Sequence, residues 1–357
     1  MAGPAQADAE TGHPRQHDLT GPALAGWLKT HVRGFEGPHA AVKISGGQSN
    51  PTYRIDAASG SYILRARPMG QTLPSAHAVD REFRVLSALA PTDVPVPPVH
   101  ALCRDESVIG AMFYVMDAVP GRVFWDPRLP DFTRAQRTAL FASMNAQIAR
   151  IHMLDPDAIG LADYGRHGDY LQRQVSRWTR QYNASVTGEN EAMERLIEWL
   201  PRNLPPEGPT RLVHGDYRLD NLLIAPHGTD VMAVLDWELS TLGDPIADFA
   251  YHAMSWRLAP DLFRGLAGVD LAALGIPDER EYLDAYLART GLPRPEAWEF
   301  HLVLALFRIA AILQGIARRA IDGTAANADA VEIGAKAKPI AEIAWQLARS
   351  INRGETG

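Results

Sequence analysis

The chain has 357 residues, 46% of them apolar and 22% charged, with a formal net charge of −7. That length allows one large domain or two lobes with separate cores, and an acidic balance without a basic block argues against nucleic acid and anionic membranes as partners. The single cysteine, Cys103, excludes an intramolecular disulfide and a cysteine-based zinc site.

The first residues, 1–19, are polar and lack an apolar signal-peptide core, so a disordered lead-in is expected, while the single cysteine fits a reducing cytoplasm. No apolar run stands out as membrane-spanning. Helical spacing then covers 20–32. Strand-like segments follow at 41–44, 52–55 and 61–65, the second and third joined by the hairpin-type Ala57-Ala58-Ser59-Gly60. Residues 76–90 read as a helix, 91–98 as a proline-rich break, and 99–102 and 112–116 as two further strands. From 117 the pattern becomes helical, with segments at 133–154, 168–182 and 189–200. Short strands and loops occupy 211–236, and 245–351 is largely helical. The pattern predicts an α+β chain of two lobes: a small antiparallel-sheet lobe over 20–116 and a large, mostly helical lobe over 117–357.

The strongest signal is His214-Gly215-Asp216-Tyr217-Arg218-Leu219-Asp220-Asn221, preceded by the apolar Arg211-Leu212-Val213. A second apolar run, 231–235, leads into Asp236-Trp237-Glu238. Kinase catalytic loops read H-x-D-x-x-x-x-N, with a metal-binding Asp downstream. Phosphoryl transfer to a hydroxyl needs a carboxylate beside the incoming oxygen, and Asp216 suits that role. It also needs Mg²⁺, a hard cation preferring oxygen ligands, which the Asn221 amide and the Asp236 carboxylate can supply. Arg218 is a candidate for neutralising charge on the transferred group, with a solvated surface arginine as the alternative. His214 reads as a loop-holding residue and Asp248 as a brace at a helix start; Glu238 is left open.

Gly46, Gly47, Ser49 and Asn50 lie in a Gly-rich turn whose backbone N–H groups could cradle phosphates. Arg65 ends the third strand, where a kinase places its phosphate-contacting lysine, and Glu82 on the next helix is its candidate partner. Arg308 and Arg319 fall on one helical face, suited to an anionic acceptor or to a surface charge row. Cys103 reads as a small core residue.

These motifs resemble the aminoglycoside phosphotransferase-like family of small-molecule kinases, which has a protein-kinase-like fold. The resemblance runs from about Gly46 to Thr324. It is closest at Leu212 to Asp216 and Asn221, at Val234-Leu235-Asp236-Trp237-Glu238, and at Gly243-Asp244-Pro245 with Asp248. Gly160 to Gly165, Arg177-Trp178-Thr179 and Phe307 to Gly315 are similar to a subgroup found alone in bacteria or fused to acyl-CoA dehydrogenase domains. The resemblance implies ATP or GTP with Mg²⁺, Asp216 as base, Asn221 and Asp236 as metal ligands, and adenine near Met116 and Ala118. For the subgroup it implies a small-molecule hydroxylated acceptor, a hydroxyacyl-CoA thioester or hydroxy acid. Arg65 departs from the lysine of many members. Two other readings compete: an antibiotic phosphotransferase, and a catalytically inactive kinase-like binding module. Few acids accompany Arg308, Arg318 and Arg319, which disfavours polycationic drugs. The joint presence of Asp216, Asn221 and Asp236 disfavours an inactive module.

Overall fold

The computed structural model describes residues 17–44, 50–69, 78–324 and 329–353. The chain divides into two compact units, one of residues up to 84 with 98–118, the other of 85–97 with 119–357.

The first unit holds helix α1 (Pro22–His31), strands β1 (His39–Lys43), β2 (Thr52–Ala57) and β3 (Gly60–Ala66), the start of helix α2 (Val79–Leu89), and strands β4 (Val99–Cys103) and β5 (Phe113–Asp117). The strands form one antiparallel sheet in the order β1-β2-β3-β5-β4. Side chains alternate across a strand, and β3 shows why this matters. Tyr62, Leu64 and Ala66 are buried, while Ser61, Ile63 and Arg65 are half-buried on the other face. The buried set joins Tyr53 and Ile55 of β2, Phe113 and Val115 of β5, and Leu24 and Leu28 of α1 in one core. Cys103 belongs to this core, and burial pushes its thiol pKa up. It is therefore a packing residue, not an activated nucleophile.

The second unit contains α3 (Arg134–Met153), α4 (Tyr170–Asn183), α5 (Glu191–Trp199), β6 (Arg211–Val213), β7 (Leu222–Ile224), β8 (Val231–Val234), β9 (Thr241–Gly243), α6 (Pro245–Ala253), α7 (Pro260–Phe263), α8 (Leu271–Leu274), α9 (Glu279–Thr290), α10 (Trp298–Ile321), α11 (Ala330–Ala335) and α12 (Ala337–Arg353). β6 pairs with β9 and β7 with β8, both antiparallel. Helix starts follow their capping chemistry. Thr133 with Gln136 and Asp278 with Glu281 form capping boxes at α3 and α9. At α6, Asp244 accepts from the Ile246 and Ala247 N–H groups, and Pro245 fills the first position. The proline-rich segment is tied into this unit, where the Pro95 carbonyl accepts from the Val234 N–H at 2.8 Å.

α10 corrects one expectation. It is long and apolar enough to cross a membrane, whereas the sequence shows no unbroken apolar run because Glu299, His301 and Arg308 interrupt it. Most of that stretch is buried inside the unit, with Phe307, Leu306, Val303 and Ala310 packed among residues of α4, α5, α6 and α12. A helix apolar around most of its circumference is what a core position requires. Leu306 is fully buried there. Leu306→Ala is expected to lower unfolding free energy by about 3 kcal/mol in a denaturant titration, through lost burial and the cavity left behind.

Candidate active site

The loop after β6 is fixed by a buried carboxylate. Asp248, in α6, accepts from the His214 N–H through Oδ2 and from the Gly215 N–H through Oδ1, each at 2.8 Å. The His152 Nε2 of α3 lies 3.2 Å from Asp248 Oδ2. Burial alone would push the Asp248 pKa up, but the hydrogen bond and charge of His152, with the His214 contacts, hold it below the usual carboxylate value. Gly215 has φ +81°, and a Cβ there would lie 2.6 Å from the Leu239 carbonyl oxygen. Only glycine fits that turn.

His214 links the two motif segments. Its Nδ1 accepts from the Asp216 N–H at 3.1 Å, and its Nε2 donates to the Leu235 carbonyl at 2.8 Å. One nitrogen accepting and one donating describes a neutral ring, and burial pushes its pKa down accordingly. The imidazole therefore holds the Asp216 backbone beside the residue preceding Asp236. The Leu235 N–H also donates to the Asn221 carbonyl at 2.8 Å. Asp236 has left-handed backbone, φ 63°, at the end of the strand segment. Such a conformation in a non-glycine residue is uncommon and clusters at functional sites.

Asp216 is held by its neighbours. Arg218 reaches it through Nε to Oδ1 at 3.1 Å and Nη2 to Oδ2 at 3.2 Å. The Asn221 amide donates to the Asp216 carbonyl at 2.8 Å and to Oδ2 at 3.0 Å. That fixes the Asn221 amide orientation and turns its oxygen away from Asp216. An outward amide oxygen plus the Asp236 carboxylate is a hard-oxygen pair suited to Mg²⁺, which typically takes few protein ligands and keeps phosphate and water. Among the described residues, no cluster of three or more His, Cys, Asp or Glu offers a competing metal site.

Arg218 faces Asp216 and Asp220, the latter at 3.4 Å. Burial would lower its pKa, but Asp216 and then Asp220 and Asp236 raise it, so the guanidinium stays charged. Asp220 pairs also with Arg264. Asp216, Arg218, Asp220 and Arg264 thus form a chain of alternating charge. Burial, and then the charge of Asp216, pushes the Tyr251 phenol pKa up. Arg308 of α10 donates through Nη2 to the Gly215 carbonyl and lies 4.1 Å from the Tyr251 ring centroid. Arg319 is exposed on the same helix, so the two arginines do not act as a pair.

In the first unit, Arg65 Nε and Glu82 Oε2 lie 2.9 Å apart, with Glu82 almost fully buried. Asn50 is buried, and neither atom of its amide has a hydrogen-bond partner among the described residues. Gly46, Gly47 and Ser49 lie outside the described residues. Met116 is buried in β5, and the Ala118 N–H donates to the Ser61 carbonyl at 3.2 Å. Sequence reasoning missed Asp220, Tyr251 and Arg264. Asp220 was visible inside the motif; nothing in the sequence marks the other two.

The phosphotransferase enzyme family matches residues 40–304. The chain belongs to that family. It is 50% identical to a Ralstonia eutropha protein assigned to the aminoglycoside phosphotransferases, whose crystal structure superposes with a TM-score of 0.86 over 94% of this chain and 99% of that one. Choline kinase from Cryptosporidium parvum matches at 12% identity and a TM-score of 0.63, covering 92% and 96% of the two chains, which shows the kinase-like fold alone. Mouse acyl-CoA dehydrogenase family member 10 is 46% identical over 91% of this chain. The chain spans 30% of that relative's length. Members of the matched family are phosphotransfer enzymes.

Two outcomes follow from the buried polar groups. Asp248→Asn replaces an acceptor of three N–H groups by an amide with one oxygen, and is expected to destabilise the fold by about 3 kcal/mol in chemical denaturation. His252, fully buried against the Tyr282 hydroxyl, has its pKa lowered to about 4 by burial. The unfolded chain binds that proton near pH 6.5 and the folded chain only near 4, so stability falls as pH drops through that window. The His252 share of that loss is roughly 3 kcal/mol, and His252→Gln is expected to flatten the pH dependence of the melting temperature between those limits.

Proposed function

We propose that the chain transfers the γ-phosphoryl group of ATP to a hydroxyl on a hydroxyacyl-CoA or hydroxy acid. The observation that carries the phosphoryl-transfer reading is the fixing of Asp216. Its backbone is held by His214, its carboxylate by Arg218 and Asn221, and the loop by Asp248. A preset carboxylate can orient an alcohol and take its proton as the oxygen–phosphorus bond forms. Asn221 Oδ1 and the Asp236 carboxylate would hold Mg²⁺, which neutralises phosphate charge when bound. Arg65, paired with Glu82, would hold the non-transferred phosphates, and Asn50 would offer its buried amide to the nucleotide. The adenine would lie near Met116 and Ala118.

The acyl acceptor is supported by the relatives. Curated proteins 46% and 40% identical to this chain are named as acyl-CoA dehydrogenases, and the chain matches less than half of each. A kinase carried in one polypeptide with acyl-CoA chemistry fits a hydroxylated acyl substrate.

The test is ADP release across hydroxyacyl-CoAs, free hydroxy acids, choline-like amines and aminoglycosides. Acceptor-dependent ADP release with a hydroxyacyl-CoA or hydroxy acid is expected, falling about a hundredfold or more in Asp216→Asn. Activity in Asp216→Asn equal to wild type would remove Asp216 as base. Turnover of aminoglycosides alone would replace the acyl acceptor.

A further inference from the structure

A pocket in the second unit borders the residues around Asp216. About 500 Å³ of space lies within it and in front of its mouth, open solvent included. Its walls are apolar and aromatic, from Phe141, Met144, Trp256, Leu258 and Phe263. Its polar residues include Arg218, Asp220, Tyr251 and Arg264, which connect it to Asp216.

We propose that this pocket is the acceptor's apolar subsite, taking the aliphatic body of a non-cationic alcohol, with Trp125 and Arg264 as its specificity-determining rim. The inference rests on the kinase reading and adds to it where the acceptor sits and what limits its size.

Three observations carry it. First, the pocket leads to Asp216: Arg218 lines it and is ion-paired with the Asp216 carboxylate at 3.1 Å. A hydroxyl on a chain lodged there is delivered to Asp216. Second, the charge balance selects against cations. The Asp220 side chain is only 5% exposed and is paired with both arginines, whereas the Arg264 side chain is 30% exposed. A polycation entering the pocket finds no unpaired carboxylate there and meets two guanidiniums. Third, the rim is a built feature. Trp125 is 56% exposed, unusual for so large an apolar residue, and the Arg264 guanidinium lies 4.4 Å from its ring centroid. Arg264 holds left-handed backbone, φ 46°, a conformation that costs energy in a non-glycine residue.

The test uses straight-chain hydroxy acids and their CoA thioesters from butanoyl to decanoyl, with kanamycin as the polycationic control. Phosphoryl transfer and nucleotide-free calorimetric binding are both measured. In wild type, kcat/KM is expected to rise about fourfold per added methylene until the pocket is full, since each buried methylene contributes about 0.8 kcal/mol. Ser255, a half-buried lining residue, is enlarged in Ser255→Leu, and the break in the series is expected to move to a shorter chain. Trp125→Ala, at an exposed site whose truncation leaves the core intact, is expected to flatten the series. Acceptor-dependent transfer with a flat series in wild type, or a break unmoved by both variants, would overturn the pocket assignment while leaving the kinase reading standing. Chain-length-dependent binding that shifts in Ser255→Leu, without transfer, would support the pocket and sink the hydroxyacyl reading. Neither binding nor transfer with any chain length would overturn the inference, as would preferential use of kanamycin.

Discussion

The second unit's chemistry depends on one residue with both peptide groups clamped. The Gly215 N–H is held by the Asp248 carboxylate of α6, and its carbonyl by the Arg308 guanidinium of α10. Neither partner is near in sequence, and both are buried. Buried ionised groups are tolerated only when hydrogen-bonded. Asp248 meets that condition by collecting two backbone N–H groups and the His152 ring. Arg308 meets it through the Gly215 carbonyl and the faces of Tyr251 and Trp178. The contacts that offset the burial of these two charges are the same ones that hold Gly215, next to Asp216.

From that clamp, His214 carries the order to the second acidic segment. A neutral ring donating to Leu235 and accepting from Asp216 ties together two segments that are also linked by the Leu222 to Val234 pairing and the Leu235 N–H to Asn221 carbonyl bond. The ring is sandwiched by Trp237 and Tyr217, with centroids 4.7 and 5.9 Å away. This explains why a histidine serves where an amide would not. It supplies one donor and one acceptor at opposite ends of a rigid body, and it also fills apolar space.

The legible part of the sequence was the part encoded in local pattern. The alternation in β3 and the turn before it specify a hairpin, and the sheet follows from five such segments. The motif around Asp216 identified its loop because the candidate groups there, Asp216, Arg218 and Asn221, lie close in sequence. The Arg264–Asp220 pair was invisible because nothing near either residue reports the other. Tyr251 reads as one more apolar position of α6 and Trp125 as a loop aromatic. Arg308 and Arg319 show the limit most directly: same residue type, same helix, yet one is buried and the other exposed. Spacing places both on one face, but only the tertiary neighbours of each turn decide which is covered.

Arg65 can be understood from the same physics. A lysine half-buried on β3 would have its ammonium pKa pushed down by desolvation, and its charge would depend on its partner. A guanidinium does not lose its proton at any relevant pH. The Arg65 side chain is 13% exposed and that of Glu82 2%, so the pair sits largely out of solvent. Arg65 Nε and Glu82 Oε2 lie 2.9 Å apart as an ion pair. In a site whose donor carries several negative charges, a fixed cation is a preorganised contact.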